Sequence, residues 1–148
     1  MLLFSMIIAC VSPFEGTWVF AADPNVELTG DCAPEEGDDT TTYTGLEYDL
    51  VDIYRTAGGE LVVFLGNPLV GQPDGADLIA EWSASAESDG YAYESSTVLN
   101  VTLQGGVLDG TLKETYGTDY DGDTYSCTTK TRVSAERSVS SAASYVEG

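Results

Sequence analysis

Residues 91–104 alternate without a break. The odd positions, Tyr91, Tyr93, Ser95, Thr97, Leu99, Val101 and Leu103, form a largely apolar face. The even positions, Ala92, Glu94, Ser96, Val98, Asn100, Thr102 and Gln104, form a mostly polar one. A period of two over so long a run is that of a β-strand with one face buried. Turn signals on either side fix its neighbours. Gly105-Gly106 reads as a two-residue hairpin loop, which sets Leu103 opposite Leu108, Val101 opposite Gly110 and Leu99 opposite Leu112. The apolar faces then coincide without adjustment, as a correct register requires. Asp89-Gly90 sets Ala86 opposite Tyr93, Ala84 opposite Ser95 and Trp82 opposite Thr97. Asp121-Gly122 sets Tyr116 opposite Cys127, Leu112 opposite Thr131 and Gly110 opposite Val133. Residues 77–138 are thus predicted to form a four-stranded antiparallel meander with one inner face.

Upstream, residues 43–55 and 60–66 read as a hairpin around Gly58-Gly59. The acidic phase shifts between Asp49 and Asp52, for which a bulge near Leu50 is one explanation. A first strand runs from Gly16 to Ala21 and is expected to end by Pro24, with a short strand at 26–30. No helical period is present. The chain is therefore all-β, with seven or eight strands in an up-and-down order. A β-sandwich is the alternative to a closed barrel. Strands of about 12 to 14 residues exceed most sandwich strands and suit tilted barrel strands. The outward residues Asn100, Thr102, Gln104, Asp109, Lys113, Lys130 and Arg132 exclude a membrane-spanning barrel, since they cannot face lipid cheaply.

A chain of 148 residues, 43% of them apolar, can bury one core. Its charge is unusual: 25 Asp and Glu against 5 Lys and Arg leave a net −20. That field repels phosphates, so nucleic acid is not a partner, and it repels anionic lipid headgroups too. The chain has no His. The usual general base, the Ser-His and Cys-His nucleophile systems and the commonest zinc ligand are therefore missing. No cofactor is implied and no enzyme is expected. Glu114 falls on the inner face, where burial would raise its pKa, but it lacks a partner acid; Thr129 opposite could hydrogen-bond to it.

Eight of the first nine residues are apolar, and the run ends at Ala9-Cys10. It is too short to cross a bilayer, which takes about 20 residues. Ile7-Ile8-Ala9-Cys10 resembles the lipobox of bacterial lipoproteins, with Ile7 in place of the usual Leu and without a basic segment before it. A first buried strand over residues 1–9 is the other reading. The resemblance implies that residues 1–9 are the remnant of a signal peptide starting upstream. Cys10 would carry the lipid, 10–15 would be a short linker, and the anchor would hold the protein in the membrane. Val11 stands where an Asp would retain such a protein at the inner membrane, so the outer membrane or cell surface is the implied address. With Cys10 acylated, Cys32 and Cys127 remain as a pair, and export permits a disulfide between them. Two buried reduced thiols are the alternative; a zinc site has too few ligands. A bridge joining the end of the first strand region to the start of the last strand is what barrel closure needs. Residues 139–148 read as a loose tail.

Phe14, Gly16 and Trp18 at the head of a small all-β chain resemble the first-strand motif of the lipocalins. The resemblance implies that Gly16 and Trp18 sit at the closed base of the barrel and that an Arg from the last strand crosses the Trp; Arg137 is the match. Thr118-Asp119-Tyr120 repeats a triplet of that family at the wrong place. The resemblance further implies a small apolar ligand within the barrel, and Trp18, Trp82, Tyr91, Tyr93 and Tyr116 are the candidate walls. Ala80, Ala84, Ala86, Ser95, Thr97 and Gly110 would leave the space. A barrel filled by its large side chains, serving as a structural or protein-interaction lipoprotein, is the alternative. Two acidic groups complete the candidates. Asp119, Asp121 and Asp123 have the alternation of a calcium loop, but Thr124 and Lys130 stand where an EF-hand needs Gly and Glu, so a solvated turn is the plainer reading. Asp31, Glu35, Glu36, Asp38 and Asp39 could clamp a cation or form a solvated loop.

Overall fold

A computed structural model describes residues 11–32 and 49–138. Eight antiparallel strands follow one another: β1 Gly16–Gly30, β2 Asp49–Arg55, β3 Leu61–Phe64, β4 Pro68–Asp74, β5 Asp77–Ser88, β6 Tyr91–Gln104, β7 Val107–Tyr120 and β8 Asp123–Arg137. Each pairs with the next, and β8 pairs with β1, so the meander closes into a barrel. The fold is an eight-stranded, lipocalin-like up-and-down barrel and not a sandwich. All nine register pairs read from the turn signals are present. Their loops have the required backbone: Asp89, Gly90, Gly105, Gly106, Asp121 and Gly122 all have positive φ, as a hairpin turn that follows the strand twist demands.

The upstream strands depart from expectation. Pro24 does not end β1. The ladder to β8 passes from Ala22 opposite Val133 to Val26 opposite Thr131, so β1 carries two extra residues there. An even insertion keeps the side-chain phase, and the strand resumes with the same face inward. Asp23 accepts hydrogen bonds from the backbone N–H and side-chain amide of Asn25 at 2.8 and 2.9 Å, which shapes the bulge. Pro24 occupies a position that leaves the ladder, where a missing N–H costs nothing. β2 pairs regularly with β1 from Asp49 to Ile53, without a bulge at Leu50. The part of the expected strand before Asp49 lies outside the described residues. β3 ends at Phe64, and β4 was not anticipated, because Pro68, Gly71 and Pro73 read as loop.

Among the described residues, strand extent divides the barrel into two halves. β2, β3 and β4 have 7, 4 and 7 residues, whereas β1 and β5 to β8 have 12 to 15. All eight strands enclose the lower half. There Phe20, Val51, Ile53, Leu61, Val63, Leu69, Leu78, Leu99, Leu108 and Val133 make a sealed apolar core. Gly71 and Gly110 lie on the inner face, and neither leaves empty space. A Cβ on Gly110 would run into the backbone carbonyl of Asn100, and one on Gly71 into that of Ile79. The neighbouring strand has moved into the room.

The base is closed by the entering chain. Of the stretch 10–15 read from sequence as a linker, residues 11–15 are described; Val11 is exposed and Phe14 is fully buried against the core. Trp18 is fully buried and donates its indole N–H to the Phe14 carbonyl at 2.8 Å. The Arg137 guanidinium lies 4.5 Å from the Trp18 ring centroid. It also donates to the carbonyls of Glu15, at 2.8 Å, and Pro13. Gly16 makes that crossing possible: its φ is +136°, and a Cβ there would lie 2.6 Å from the Arg137 Nη1.

Candidate ligand-binding surface

Among the described residues, the upper half is built by β5 to β8 and the end of β1. The last pair between β4 and β5 is Val70 with Glu81, so above it the inward face of the long strands has no facing wall among the described residues. The registers lay that face out in rows. Trp82, Thr97, Glu114, Thr129 and Leu28 form the first. Ala84, Ser95, Tyr116, Cys127 and Gly30 form the second; Ala86, Tyr93, Thr118 and Tyr125 the third; Ser88, Tyr91, Tyr120 and Asp123 the rim. Tyr93 and Tyr116 have ring centroids 5.8 Å apart, Tyr91 and Tyr120 6.5 Å apart, both pairs tilted. The hydroxyls of Tyr91 and Tyr116 share a 3.4 Å hydrogen bond. That bond, with some loss of hydration, holds the Tyr116 phenol above the ordinary tyrosine range.

These rings are unusually open. Tyr91, Tyr116, Tyr120 and Tyr125 are 41 to 58% exposed, and Leu28 is 43% exposed. Trp82 sits at the floor, packed against the lower core. The result is an aromatic wall with small residues between the rings, standing on a sealed apolar base. Such a surface takes up the flat or apolar body of a small molecule, while the phenol hydroxyls offer hydrogen bonds at its margin.

Of the five expected wall residues, Trp82, Tyr91, Tyr93 and Tyr116 stand together here. Trp18 does not; it is the buried floor of the other half. Tyr120, Tyr125 and Leu28 complete the surface and were not singled out from sequence. The alternation that placed Cys127 inward also places Tyr125 inward, so extending that period by one step finds it. Glu114 is exposed rather than buried, whereas Thr97 beside it in the same row is buried. Glu114 has no hydrogen-bond or ion-pair partner among the described residues.

Two grooves open among the outward residues of the long strands. One of about 470 Å³ lies across the upper ends of β5 to β8, lined by outward residues such as Glu94, Gly117 and Ser126 and also by Tyr93 and Tyr125. Another, of about 590 Å³, lies over the β1 bulge beside the Arg132–Asp109 ion pair of 3.4 Å. Asp119, Asp121 and Asp123 form a hairpin turn. Asp119 accepts the Gly122 N–H at 3.3 Å, Asp121 is in the turn, and Asp123 lies on the opposite face. The described residues hold no group of three carboxylate or thiolate side chains placed to share a metal ion. Of the acidic run, Asp31 alone is described; it accepts the Ser126 N–H at 3.1 Å and returns its own N–H to the Ser126 carbonyl at 2.7 Å. Cys32 and Cys127 form a disulfide with Cα atoms 4.9 Å apart, pinning the β1–β8 seam where Gly30 faces Cys127. Cys10 lies outside the described residues, as do Glu35, Glu36, Asp38, Asp39 and residues 139–148.

Comparison with family models, with curated proteins and with solved structures returned no match.

Proposed function

We propose that this protein is an exported binding module that takes the apolar body of a small ligand against the inward face of its upper half. The observation that carries this reading is the contrast between the halves. Below, every inner position is filled; above, a tryptophan and five tyrosines line a face that nothing described covers. A purely structural barrel has no need of that contrast, since large side chains could fill both halves. The test is native mass spectrometry of protein purified from its own host, followed by titration with fluorescent apolar probes. A retained small molecule, or probe binding that Trp82→Ala and Tyr93→Ala weaken, supports the reading. If nothing copurifies and no probe binds or raises the melting temperature, the barrel is a packed interaction module instead.

We further propose that Cys10 is acylated and tethers the barrel to a bacterial outer membrane or cell surface. Support comes from the apolar run ending in Ala9-Cys10 and from Val11 beginning the segment that closes the base. A lipid on Cys10 would put the closed base toward the membrane and the aromatic face away from it. Expression in a bacterial host with a radiolabelled fatty acid decides the matter. Label that depends on Cys10 is the expected result; no label, or label that survives Cys10→Ser, refutes it.

A further inference from the structure

We infer that the ligand of the aromatic face carries a cationic head, a quaternary or protonated amine on an apolar body, rather than a carboxylate. This rests on the binding reading above and adds the charge of the ligand to it. The argument begins with where the five cationic side chains lie. Arg137 is committed to the Trp18 ring and to two carbonyls at the base. Arg55 pairs with Glu15 there, at 3.6 Å. Lys113, Lys130 and Arg132 stand on the outward phase of β7 and β8, exposed. None faces the rows from Trp82 to the rim. An anionic ligand would therefore enter a site without a counter-charge, against the field of a chain with net charge −20.

What does face those rows suits a cation. Tyr91, Tyr93, Tyr116, Tyr120 and Tyr125 stand on three successive rows of one face, in two tilted ring pairs, and aromatic faces attract ammonium groups through the ring quadrupole. Beneath Tyr116, two residues back on the same face, lies Glu114, exposed and without a partner among the described residues. Asp123 stands at the rim opposite Tyr120. The rings would hold the body and the methyl or methylene groups around the nitrogen, with Glu114 supplying the charge.

The test uses the full chain and three probes of one shape: an aryl-alkyl trimethylammonium, its uncharged isostere with carbon in place of nitrogen, and the carboxylate of equal length. Binding is read by calorimetry and by tyrosine ring chemical shifts. The cation is expected to bind about tenfold tighter than the isostere or better, with the carboxylate weakest. Tyr93→Leu and Tyr116→Leu should bring the cation down to the isostere while changing the isostere little. Glu114→Gln should weaken the cation severalfold, and Glu94→Gln on the outer face should not. If the isostere binds as well as the cation, or the carboxylate binds best, the charge preference is overturned while the binding reading stands. If no probe binds, both fall. Cation binding that Glu94→Gln weakens as much as Glu114→Gln, or that moderate salt abolishes in every variant, marks diffuse surface attraction and overturns the inference.

Discussion

At Gly16 the chain adopts a backbone conformation that L side chains rarely enter, and it does so beside a guanidinium that needs the space. Gly16→Ala therefore meets two penalties at once, an unfavourable φ and a collision with Arg137. Arg137→Ala removes two hydrogen bonds from a charged donor and a cation–π contact. It should lower stability in urea by about 2 to 3 kcal/mol, and the emission of the buried Trp18 should shift red as the base admits water. Gly110→Ala tests the close approach of β6 and β7. The obstacle is a backbone carbonyl that cannot rotate away, so a loss of about 1 to 3 kcal/mol is expected from the same measurement. Tyr116 offers a titration. Its neutral phenol is favoured in the folded state, so that contribution is complete below the ordinary tyrosine pKa and disappears as pH rises through the folded one. In an alkaline titration followed by phenolate absorbance, Tyr116 should ionise after a free tyrosine. Tyr91→Phe should move it back toward the ordinary range.

At the level of strands, the seam between β1 and β8 closes the barrel, and the disulfide pins its upper end. Cys32 and Cys127 are separated by 95 positions; loop-closure models give a bridge of that span roughly 4 to 5 kcal/mol. The paired Ser variant should lose stability on that scale. Hydrogen exchange should rise first at Val26 to Gly30, above the bulge, where the ladder to β8 is the only one described. Which strands were legible follows from their chemistry. β5 to β8 alternate cleanly and are joined by Asp-Gly and Gly-Gly turns, so register followed from turn position alone. β4 was hidden because Pro68, Gly71 and Pro73 are loop residues by local preference. The barrel tolerates them, with Gly71 where a strand crosses close and the prolines near strand ends. β1 seemed to stop at Pro24 because a bulge with an even insertion looks, in sequence, like a break. The aromatic wall was found for the same reason as the meander, by alternation. The openness of that wall was not, because it depends on where β3 and β4 end relative to β5. Trp18, named from sequence both for the base and for the wall, stands at the base, and Glu114, expected on a buried inner face, is exposed.

For the whole molecule, the dominant long-range term is self-repulsion. With 25 acidic and 5 basic side chains, and ion pairs described only for Arg55 and Arg132, most of the charge is uncompensated. Added sodium chloride shortens the reach of that repulsion to about 8 Å at physiological strength. The melting temperature should therefore climb steeply from low salt and then level off; a fall with salt over that range would show that the few ion pairs matter more than the net charge. The two-height barrel also has a consequence for how copies of the molecule meet. Among the described residues the wall is complete only in the lower half, so the upper half has strand margins. Along β5 from Trp82 to Ser88, the side away from β6 presents N–H and C=O groups with no described strand beside them. The facing margin of β1 is bent by Asp23-Pro24-Asn25, which spoils it as a template; β5 has neither proline nor bulge there. Such a margin invites a strand from another molecule, and the shared negative charge opposes the approach of a second copy. As the solution approaches the isoelectric point near 4.1, that protection vanishes. Self-association should then begin by edge pairing along Trp82 to Ser88, and a proline placed at Ser85 should delay it.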